Sequence, residues 1–573
     1  MPRTTSTPVP RPQVDALTSR PTADVVVIGG GINGIATFRD LALQGVDVVL
    51  VERGDWASGA SSASSHMIHG GVRYLENGEF RLVREAVQER NRLLRNARHY
   101  VHPLPTTIPI FSTFSGLLAA PLRFLTHRQR STRERGALLI KLGLTIYDGF
   151  SRDGGTQPRH RFLGRRKALA EMPELNPDLK YTATYFDASM HDPERLALDV
   201  LLDGIAAGGR AANYVEAIGA SADGAGIRVR DLADGAEFDL AARVVVNASG
   251  PWTDLTNDAL GRPTRYMGGT KGSHIVLNHA ELLAATHGRE LFFENDDGRI
   301  VLIYPLKGRV MVGTTDIDAD PREPAVCTEE EVDYFFGLVH HVLPGIRLDR
   351  SQIVYKFAGI RPLPHHDDEA PGFVSRDYRI EPTELGGGRL LLSLVGGKWT
   401  TFRALGAHMA DLVLDRLGMP RRTGTENLAI GGGAGFPAAD GARDTWIAEH
   451  AGRVDARRAG RLLARYGTRA VDVMAALGDD DVMLAHLEGY SRDEVRHVAR
   501  TEHVVHLGDL VYRRTSAAFA GVVTADLLDE LAEIAGDALG WSRQRRAREV
   551  AEATADLAAR HDVTLAGAPA RAD

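Results

Sequence analysis

The pattern of apolar positions at the start of the chain predicts a strand, a glycine turn, a helix and a second strand. Residues 24–28 form a β-branched run, GGGING follows, and apolar residues then recur near helical spacing to about residue 44. A second β-branched run covers 46–51 and ends at Glu52. This succession is typical of an α/β fold with a parallel sheet.

The patterns further along the chain predict a second sheet and a separate helical domain. Three runs read as strands of an antiparallel sheet, at 273–278, 300–305 and 309–314. An apolar strand at 390–395 leads through GGKWTTF into a helix that ends near residue 417. Beyond the glycine cluster 431–435, Ala, Leu, Arg and Glu recur at helical period to about residue 560.

The composition is that of a globular protein with more than one domain. The 573 residues predict two or three domains at about 100–200 residues each. Apolar residues make up 43% and charged residues 25%, which excludes a disordered chain. The formal charge of -7 argues against a nucleic-acid partner. Cys327 is the single cysteine, which excludes an intrachain disulfide and thiolate metal clusters and fits a reducing compartment.

The chain has no apolar run near the ~18–20 residues that cross a bilayer. Residues 1–22 are rich in Pro and Thr and lack the apolar segment of a secretory signal. We therefore expect a flexible tail over 1–23. No D-x-D-x-D-G calcium loop is present, and no metal site is predicted.

Gly29, Gly31 and Gly34 have the G-x-G-x-x-G spacing of a dinucleotide fingerprint, between a strand and a helix. The first glycine makes the tight turn, the second lets the pyrophosphate approach, and the third allows close helix packing. Glu52 ends the second strand, where its carboxylate can accept from an adenosine ribose hydroxyl. The fingerprint does not separate FAD from NAD. Its place at the start of the ordered chain and the Ser-rich loop 58–65 favour FAD.

The following motifs resemble the FAD-dependent glycerol-3-phosphate dehydrogenases in sequence and in order. They are SSASS (61–65), IHGGVRYLE (68–76), EFRLVREA (79–86), NASGPW (247–252), KGSHI (271–275), GTTD (313–316), GIRPL (359–363), GGKWTTFR (396–403) and RRT (513–515). The resemblance is strong over 24–415 and loose beyond. Trp399 stands where leucine is common in that family.

The resemblance implies an α/β fold in which an FAD-binding Rossmann-like domain carries an antiparallel-sheet substrate domain, as in amino-acid oxidases, and a C-terminal helical domain. We expect the FAD-binding domain to be discontinuous. The expected boundaries are 24–75, 190–255 and 351–420 for the FAD-binding domain, 76–189 and 256–350 for the substrate domain, and 425–562 for the helical domain.

The reaction implied by the resemblance is oxidation of sn-glycerol 3-phosphate to dihydroxyacetone phosphate. It requires a phosphate ligand, a proton acceptor and a hydride acceptor. Arginine suits phosphate because its planar fork donates two charge-assisted hydrogen bonds. The predicted catalytic and substrate-binding residues are Arg73 and Arg361 for the phosphate, His69 and His274 as substrate contact and candidate base, Asp316 to orient a base or hydroxyl, and Tyr74 and Lys398 as further substrate contacts.

The same resemblance implies a set of flavin contacts in three further motifs. Lys398 and the helix start after it can place a cation and amides beside the flavin edge where charge accumulates on reduction. The predicted cofactor-binding residues besides Gly29, Gly31, Gly34 and Glu52 are Ser61, Ser62, Ser64, Ser65, Gly250, Gly397, Lys398, Thr400 and Thr401.

The resemblance also implies a quinone-type electron acceptor and a location in the cytoplasm, at the inner face of the cell membrane. Residues 123–167 carry twelve basic and three acidic side chains, a local charge of +9 that favours an anionic membrane surface. The apolar GLLAAPLRFL at 116–125 adds a segment that could enter the interface. A solvated charged face is the alternative.

Three other functions fit the same residues. They are an oxidase that passes electrons to O2, an amine-oxidising relative whose arginines hold a carboxylate, and a non-catalytic flavin-binding membrane sensor. The helical domain is a candidate subunit interface, for example of a homodimer.

Overall fold

The computed structural model describes residues 11–71, 80–112, 137–151, 157–294, 300–365 and 377–565. Two predicted substrate contacts, Arg73 and Tyr74, and the apolar segment 116–125 lie outside these ranges.

The described strands build two sheets. In chain order they are β1 (Thr22–Ile28), β2 (Val48–Glu52), β3 (Met67–Ile68), β4 (Val101–Ile110), β5 (Arg161–Gly164), β6 (Tyr181–Met190), β7 (Arg210–Asn213), β8 (Val215–Ala220), β9 (Gly226–Asp231), β10 (Glu237–Asn247), β11 (Met267–Leu277), β12 (Glu290–Glu294), β13 (Ile300–Leu306), β14 (Arg309–Gly313), β15 (Ile317–Asp318), β16 (Ile353–Pro364), β17 (Arg379–Gly386) and β18 (Arg389–Val395).

The first sheet is parallel at its centre, and β1 is the point where its chain order reverses. Its path is β17, β18, β10, β1, β2, β7, with β9 paired to β10 and β8 paired to β9. β1 pairs in parallel with β2 on one side and with β10 on the other. Ligands of open α/β sheets bind beyond the carboxyl ends of the strands at such a reversal. The glycine turn after Ile28 occupies that place.

The second sheet carries the three runs predicted to be antiparallel. Its path is β15, β11, β14, β13, β12, β4, β6, β3, with β16 on β11 and β5 on β6. The pairs of β14 with β11 and with β13 are antiparallel, as predicted. The sheet as a whole is mixed, because β4 and β12 pair in parallel.

Helices cover the first sheet and form most of the chain after residue 425. They are α1 (Pro12–Ser19), α2 (Ile32–Leu43), α3 (Phe80–Asn96), α4 (Ala137–Ser151), α5 (Arg165–Glu171), α6 (Pro193–Ala206), α7 (Thr253–Ala259), α8 (Ala280–Ala285), α9 (Glu329–Val342), α10 (Phe402–Leu417), α11 (Asp440–His450), α12 (Ala456–Tyr466), α13 (Ala470–Ala476), α14 (Arg492–Thr501), α15 (Leu507–Asp509), α16 (Ala517–Ala520), α17 (Ala525–Leu539) and α18 (Arg543–His561). A π-helical turn covers Leu510–Arg514. No helix in these ranges combines the length and apolar content that crossing a bilayer requires.

The prediction of a flexible tail is wrong for residues 11–23. Helix α1 buries Val14 and Leu17 against the first sheet, because their spacing of three places both on one face of the helix. Arg11 pairs with Asp231 and donates to the carbonyl of Asn213, which ties the helix start to the same sheet. The prediction of a tail relied on the Pro and Thr content of residues 1–22, which does not reveal this short amphipathic helix.

The segment 351–420, expected to lie wholly in the FAD-binding domain, is divided between the two sheets. β16 pairs with β11 from Met267 to Leu277, so it belongs to the second sheet. β17, β18 and α10 stay with the first sheet. The strand pattern of residues 353–364 shows a strand but does not show which sheet it joins.

Candidate active site

The glycine turn has the close contacts that its spacing predicts. Gly29 has φ +109°, and a Cβ there would lie 2.6 Å from the carbonyl oxygen of Ala248. A Cβ on Gly34 would lie 2.0 Å from the carbonyl oxygen of Gly29, so this glycine lets α2 pack on the turn. At Gly31 the nearest atom within 4 Å would be Ser61 Oγ, at 3.4 Å. Gly31 therefore leaves space for a ligand rather than for protein.

This difference predicts opposite effects for two alanine substitutions. Gly34→Ala should destabilise the protein by about 1–3 kcal/mol, because the added methyl overlaps backbone that cannot move away. Gly31→Ala should leave the melting temperature of the apoprotein unchanged and weaken FAD binding at least about tenfold, because the methyl enters the ligand space. Thermal denaturation and fluorescence titration measure the two effects. An equal loss of stability in both variants would contradict this assignment.

Glu52 has its carboxylate oriented by two backbone amides. Gly30 N donates to Oε2 at 2.6 Å and Gly54 N donates to Oε1 at 2.7 Å. Burial raises the pKa of Glu52, and the two amide hydrogen bonds oppose that shift. The carboxylate is thus held in one orientation at the end of β2, where it can accept from a ribose hydroxyl.

A cavity of about 1040 Å³ lies over the glycine turn. Its walls come from the loops after β1, β2 and β10, from β16, and from the C-terminal helices. The volume lies just above the ~300–1,000 Å³ range of small-molecule sites, which leaves room for an extended dinucleotide. The predicted cofactor residues that line it are Gly29, Gly31, Glu52, Ser61, Ser62 and Gly250.

Hydrogen bonds join the Ser-rich loop to the first residue of α2 and to the loop before α10. Ser61 Oγ accepts from the amide of Ile32 at 3.0 Å, and its carbonyl accepts from Trp399 Nε1 at 2.9 Å. Thr400 Oγ1 donates to the carbonyl of His69 at 3.2 Å. The two loops predicted to contact flavin are therefore joined, and Trp399 supplies one of the bonds.

Arg361 is oriented by two acceptors on the loop after β14. Its Nη1 donates to Asp316 Oδ1 at 2.8 Å and its Nη2 donates to Thr314 Oγ1 at 2.7 Å. A Cβ on Gly272 would lie 2.1 Å from Arg361 Nη2, so the guanidinium crosses the backbone of β11 at a glycine. Asp316, predicted to orient a base or a hydroxyl, pairs with this arginine.

His274 lies next to Arg361 and contacts the Ser-rich loop. Its Nε2 is 2.9 Å from Ser65 Oγ, and its ring stacks on Phe357 with the ring centroids 4.7 Å apart. Burial and then the charge of Arg361 lower the pKa of His274 well below its ordinary value. The imidazole is therefore neutral at pH 7, as a proton acceptor must be.

The remaining predicted residues have other neighbours. Gly34 packs inside α2, and a Cβ on Gly397 would lie 2.3 Å from Asn33 Nδ2. Lys398 acts electrostatically on Glu85. Among the described residues, seven predicted cofactor contacts are not part of the cavity wall, namely Gly34, Ser64, Ser65, Gly397, Lys398, Thr400 and Thr401.

Two further polar residues of the candidate site, Asn33 and Thr314, were not predicted from the sequence. Asn33, inside GGGING, lines the cavity with its Oδ1 buried and without a hydrogen-bond partner in the described structure. Thr314, inside GTTD, orients Arg361. Both lie in motifs that the sequence marks, so attention to every polar position of those motifs would have found them.

Two protein-family models match the chain. A model described as FAD dependent oxidoreductase matches residues 24–412, and one described as C-terminal domain of alpha-glycerophosphate oxidase matches residues 423–546.

Individual relatives agree with these matches. The glycerol-3-phosphate dehydrogenase of Synechocystis is 33% identical over 92% of this chain and 95% of its own length. The D-erythritol 1-phosphate dehydrogenase of Brucella abortus is 33% identical over 86% of this chain and 94% of its own. The crystal structure of the FAD complex of glycerol-3-phosphate dehydrogenase from Bacillus halodurans has the same fold, with 23% identity, a TM-score of 0.72 and 96% of each chain covered. The chain therefore belongs to the family of FAD-dependent glycerol-3-phosphate dehydrogenases.

Proposed function

We propose that this protein oxidises sn-glycerol 3-phosphate to dihydroxyacetone phosphate with FAD as the hydride acceptor. The observation that carries the proposal is the placement of Arg361 beside His274, whose Nε2 lies within hydrogen-bond distance of Ser65 in the Ser-rich loop. An oriented guanidinium suits a phosphate, and a neutral imidazole suits an alcohol proton. The names of the relatives support this substrate.

The residues around the glycine turn fit FAD. The Glu52 carboxylate is presented by two amides, and Gly31 leaves open space where a pyrophosphate would approach. When bound, FAD supplies the hydride-accepting ring. The adenosine end would be held by Glu52 and the diphosphate by the turn Gly29–Gly31.

The chain's own residues would bind the substrate and take its proton. Arg361, oriented by Asp316 and Thr314, would hold the phosphate and so fix the position of the C2 carbon. His274 would hold the hydroxyl proton at Nε2, the nitrogen that faces the Ser-rich loop. Arg73, Tyr74 and His69 remain predicted substrate contacts.

Anaerobic addition of glycerol 3-phosphate to the holoenzyme tests the substrate. We expect the flavin absorption band to bleach with this substrate and to stay unchanged with glycerol, which lacks the phosphate. D-Erythritol 1-phosphate is the second arm, because one relative carries that name. If only D-erythritol 1-phosphate bleached the flavin, that compound would be the substrate. An unchanged spectrum with both compounds would refute the proposed enzymatic activity and favour a non-catalytic sensor.

A quinone-type acceptor and binding at the cytoplasmic face of the membrane belong to the same proposal. Helix α4 lies in the basic region and exposes Leu138 and Leu142, one helical turn apart, with Lys141 between them. Exposed apolar side chains flanked by cations suit the surface of an anionic bilayer. A homodimer through the helical domain stays a prediction.

Sedimentation with anionic vesicles at low salt should carry the protein down, and release should follow as salt rises. The double variant Leu138→Glu/Leu142→Glu should stay in the supernatant, while Val482→Glu, at an exposed apolar position of the helical domain, should still sediment. Equal sedimentation of all three proteins would contradict docking through α4. Formation of one hydrogen peroxide per substrate oxidised during aerobic turnover would identify O2, and not a quinone, as the electron acceptor.

A further inference from the structure

The short loop after Glu52, residues 53–57, is held by hydrogen bonds to the Glu52 carboxylate, to the glycine turn and to Tyr214. Gly54 N donates to Glu52 Oε1 at 2.7 Å, and the carbonyl of Gly54 accepts from Tyr214 N at 3.0 Å. Ala57 N donates to the carbonyl of Gly30 at 2.8 Å. The loop therefore connects the carboxylate of Glu52 to the glycine turn.

The same loop is clamped from the C-terminal domain through Asp55. Arg514 Nη1 and Nη2 donate to the two oxygens of the Asp55 carboxylate at 2.7 and 2.8 Å. Arg513 Nε donates to the same carboxylate, and its Nη2 donates to Asp509 Oδ1 at 3.1 Å. The side chains of Asp55 and Arg514 are both fully buried. Two arginines of the π-helical turn thus converge on one carboxylate more than 450 residues away.

The clamp itself is braced by further contacts. Arg514 Nη2 also donates to the carbonyl of Glu502 at 2.8 Å. Asn213 Nδ2 donates to Asp55 at 3.2 Å and to the carbonyl of His503 at 2.9 Å. Burial alone would raise the pKa of Asp55, but the two guanidinium groups more than offset burial and hold the pKa below its usual range. Asp55 is therefore ionised, and its buried negative charge is balanced by the guanidinium groups of Arg513 and Arg514.

A buried ion pair contributes little net stability compared with apolar packing, and its best-attested use is to specify one arrangement. Here the arrangement that it specifies is that of the Glu52 loop. Gly54 lies between the anchored Asp55 and the carboxylate that its amide orients, so a shift of Asp55 moves the donor of Glu52 Oε1.

We propose that Asp55, Arg513 and Arg514 are positioning residues for the cofactor, through which the C-terminal helical domain holds Glu52 in its ribose-binding orientation. The inference goes beyond the proposed function, because it concerns FAD binding and needs no substrate. It also gives the C-terminal domain a role in the dinucleotide site.

The test compares the dissociation constants of FAD and of its analogue that lacks the 2′-hydroxyl of adenosine. Glu52 would accept a hydrogen bond from this hydroxyl. The wild-type protein should therefore bind FAD about 10- to 150-fold more tightly than the analogue, the range for a hydrogen bond to a charged group. In Asp55→Asn, Arg514→Lys and Arg513→Lys, the ratio should fall to below about threefold, because Glu52 loses its fixed orientation. Flavin fluorescence measures both constants.

Arg469→Gln is the matched control. Arg469 also joins the C-terminal domain to the first, since it donates to Asp199 at 2.8 Å and to Asp203 at 2.7 Å on α6, away from the Glu52 loop. This variant should keep the wild-type ratio even where its melting temperature falls. Arg513→Lys keeps the positive charge beside Asp55 and so preserves the fold if Asp55→Asn does not.

A wild-type ratio in folded Arg513→Lys and Arg514→Lys would overturn the proposal. So would equal binding of the two ligands by the wild-type protein, because Glu52 would then make no ribose contact to be positioned. Failure of glycerol 3-phosphate to reduce the flavin would refute the proposed function and leave this result untouched.

Discussion

Arg361→Gln is expected to lower kcat/KM for glycerol 3-phosphate by at least about 10²-fold, because the variant loses two charge-assisted hydrogen bonds of at least about 1.5 kcal/mol each. Asp316 and Thr314 hold the guanidinium at a glycine of β11, so glutamine, which is uncharged and shorter, cannot replace it. Arg361→Lys should retain part of the activity, since it keeps the charge without the fork. Steady-state kinetics with an artificial acceptor measures the loss.

A comparison of glycerol 3-phosphate with glycerol distinguishes the loss of a phosphate contact from general damage to the site. The wild-type preference for glycerol 3-phosphate over glycerol should largely disappear in Arg361→Gln, and inorganic phosphate should cease to compete. Arg289→Gln, which removes another partly buried arginine paired with a carboxylate, Glu171, should behave as wild type. A preserved preference in Arg361→Gln would mean that the phosphate is bound elsewhere.

His274→Asn is expected to slow flavin reduction by about 10²- to 10⁴-fold, the usual contribution of a general base. Asparagine can keep a hydrogen bond to Ser65 but cannot accept the proton. Rapid mixing under anaerobic conditions measures the rate, and FAD affinity should stay unchanged. His279→Asn makes the same substitution at a buried histidine two residues beyond the end of β11, and asparagine is a good cap for α8. A similar loss in both variants would contradict a specific role for His274.

The pH dependence follows from the same residue. Burial and Arg361 lower the pKa of His274, so its proton-accepting form is present above a pKa that lies below the ordinary value of about 6.5. The rate of flavin reduction should therefore stay constant from pH 8 down through 6.5 and fall only in more acid solution. Arg361→Gln removes a positive charge and should move that fall toward higher pH. An inflection near 6.5 in the wild-type protein would point to an exposed base instead.

Features that depend on nearby residues could be predicted from the sequence. The turn Gly29–Gly34 and the acid Glu52 belong to one strand, helix and strand, and β1, α2 and β2 lie within two residues of their predicted bounds. The spacing of glycines has a direct steric meaning, and the structure shows that meaning at Gly29 and Gly34.

Features that depend on distant partners could not be predicted. The RRT motif was visible at 513–515, but nothing local identifies Asp55 as its acceptor. Ser65 lay in a loop that suggested flavin, whereas the hydrogen bond to His274 joins residues from different parts of the chain. Which sheet a strand such as β16 joins is likewise decided by packing that a linear pattern does not contain.

The position of β18 between β17 and β10 in the first sheet sets an order for biosynthesis. β18 pairs in parallel with β10 along Val244–Asn247, although the strands of the second sheet from β11 to β16 are translated between them. At the usual speed of translation this interval lasts on the order of ten seconds. A nascent chain therefore carries an open strand edge until Arg389–Val395 leaves the ribosome, and this is the period in which chaperones have to shield it from aggregation.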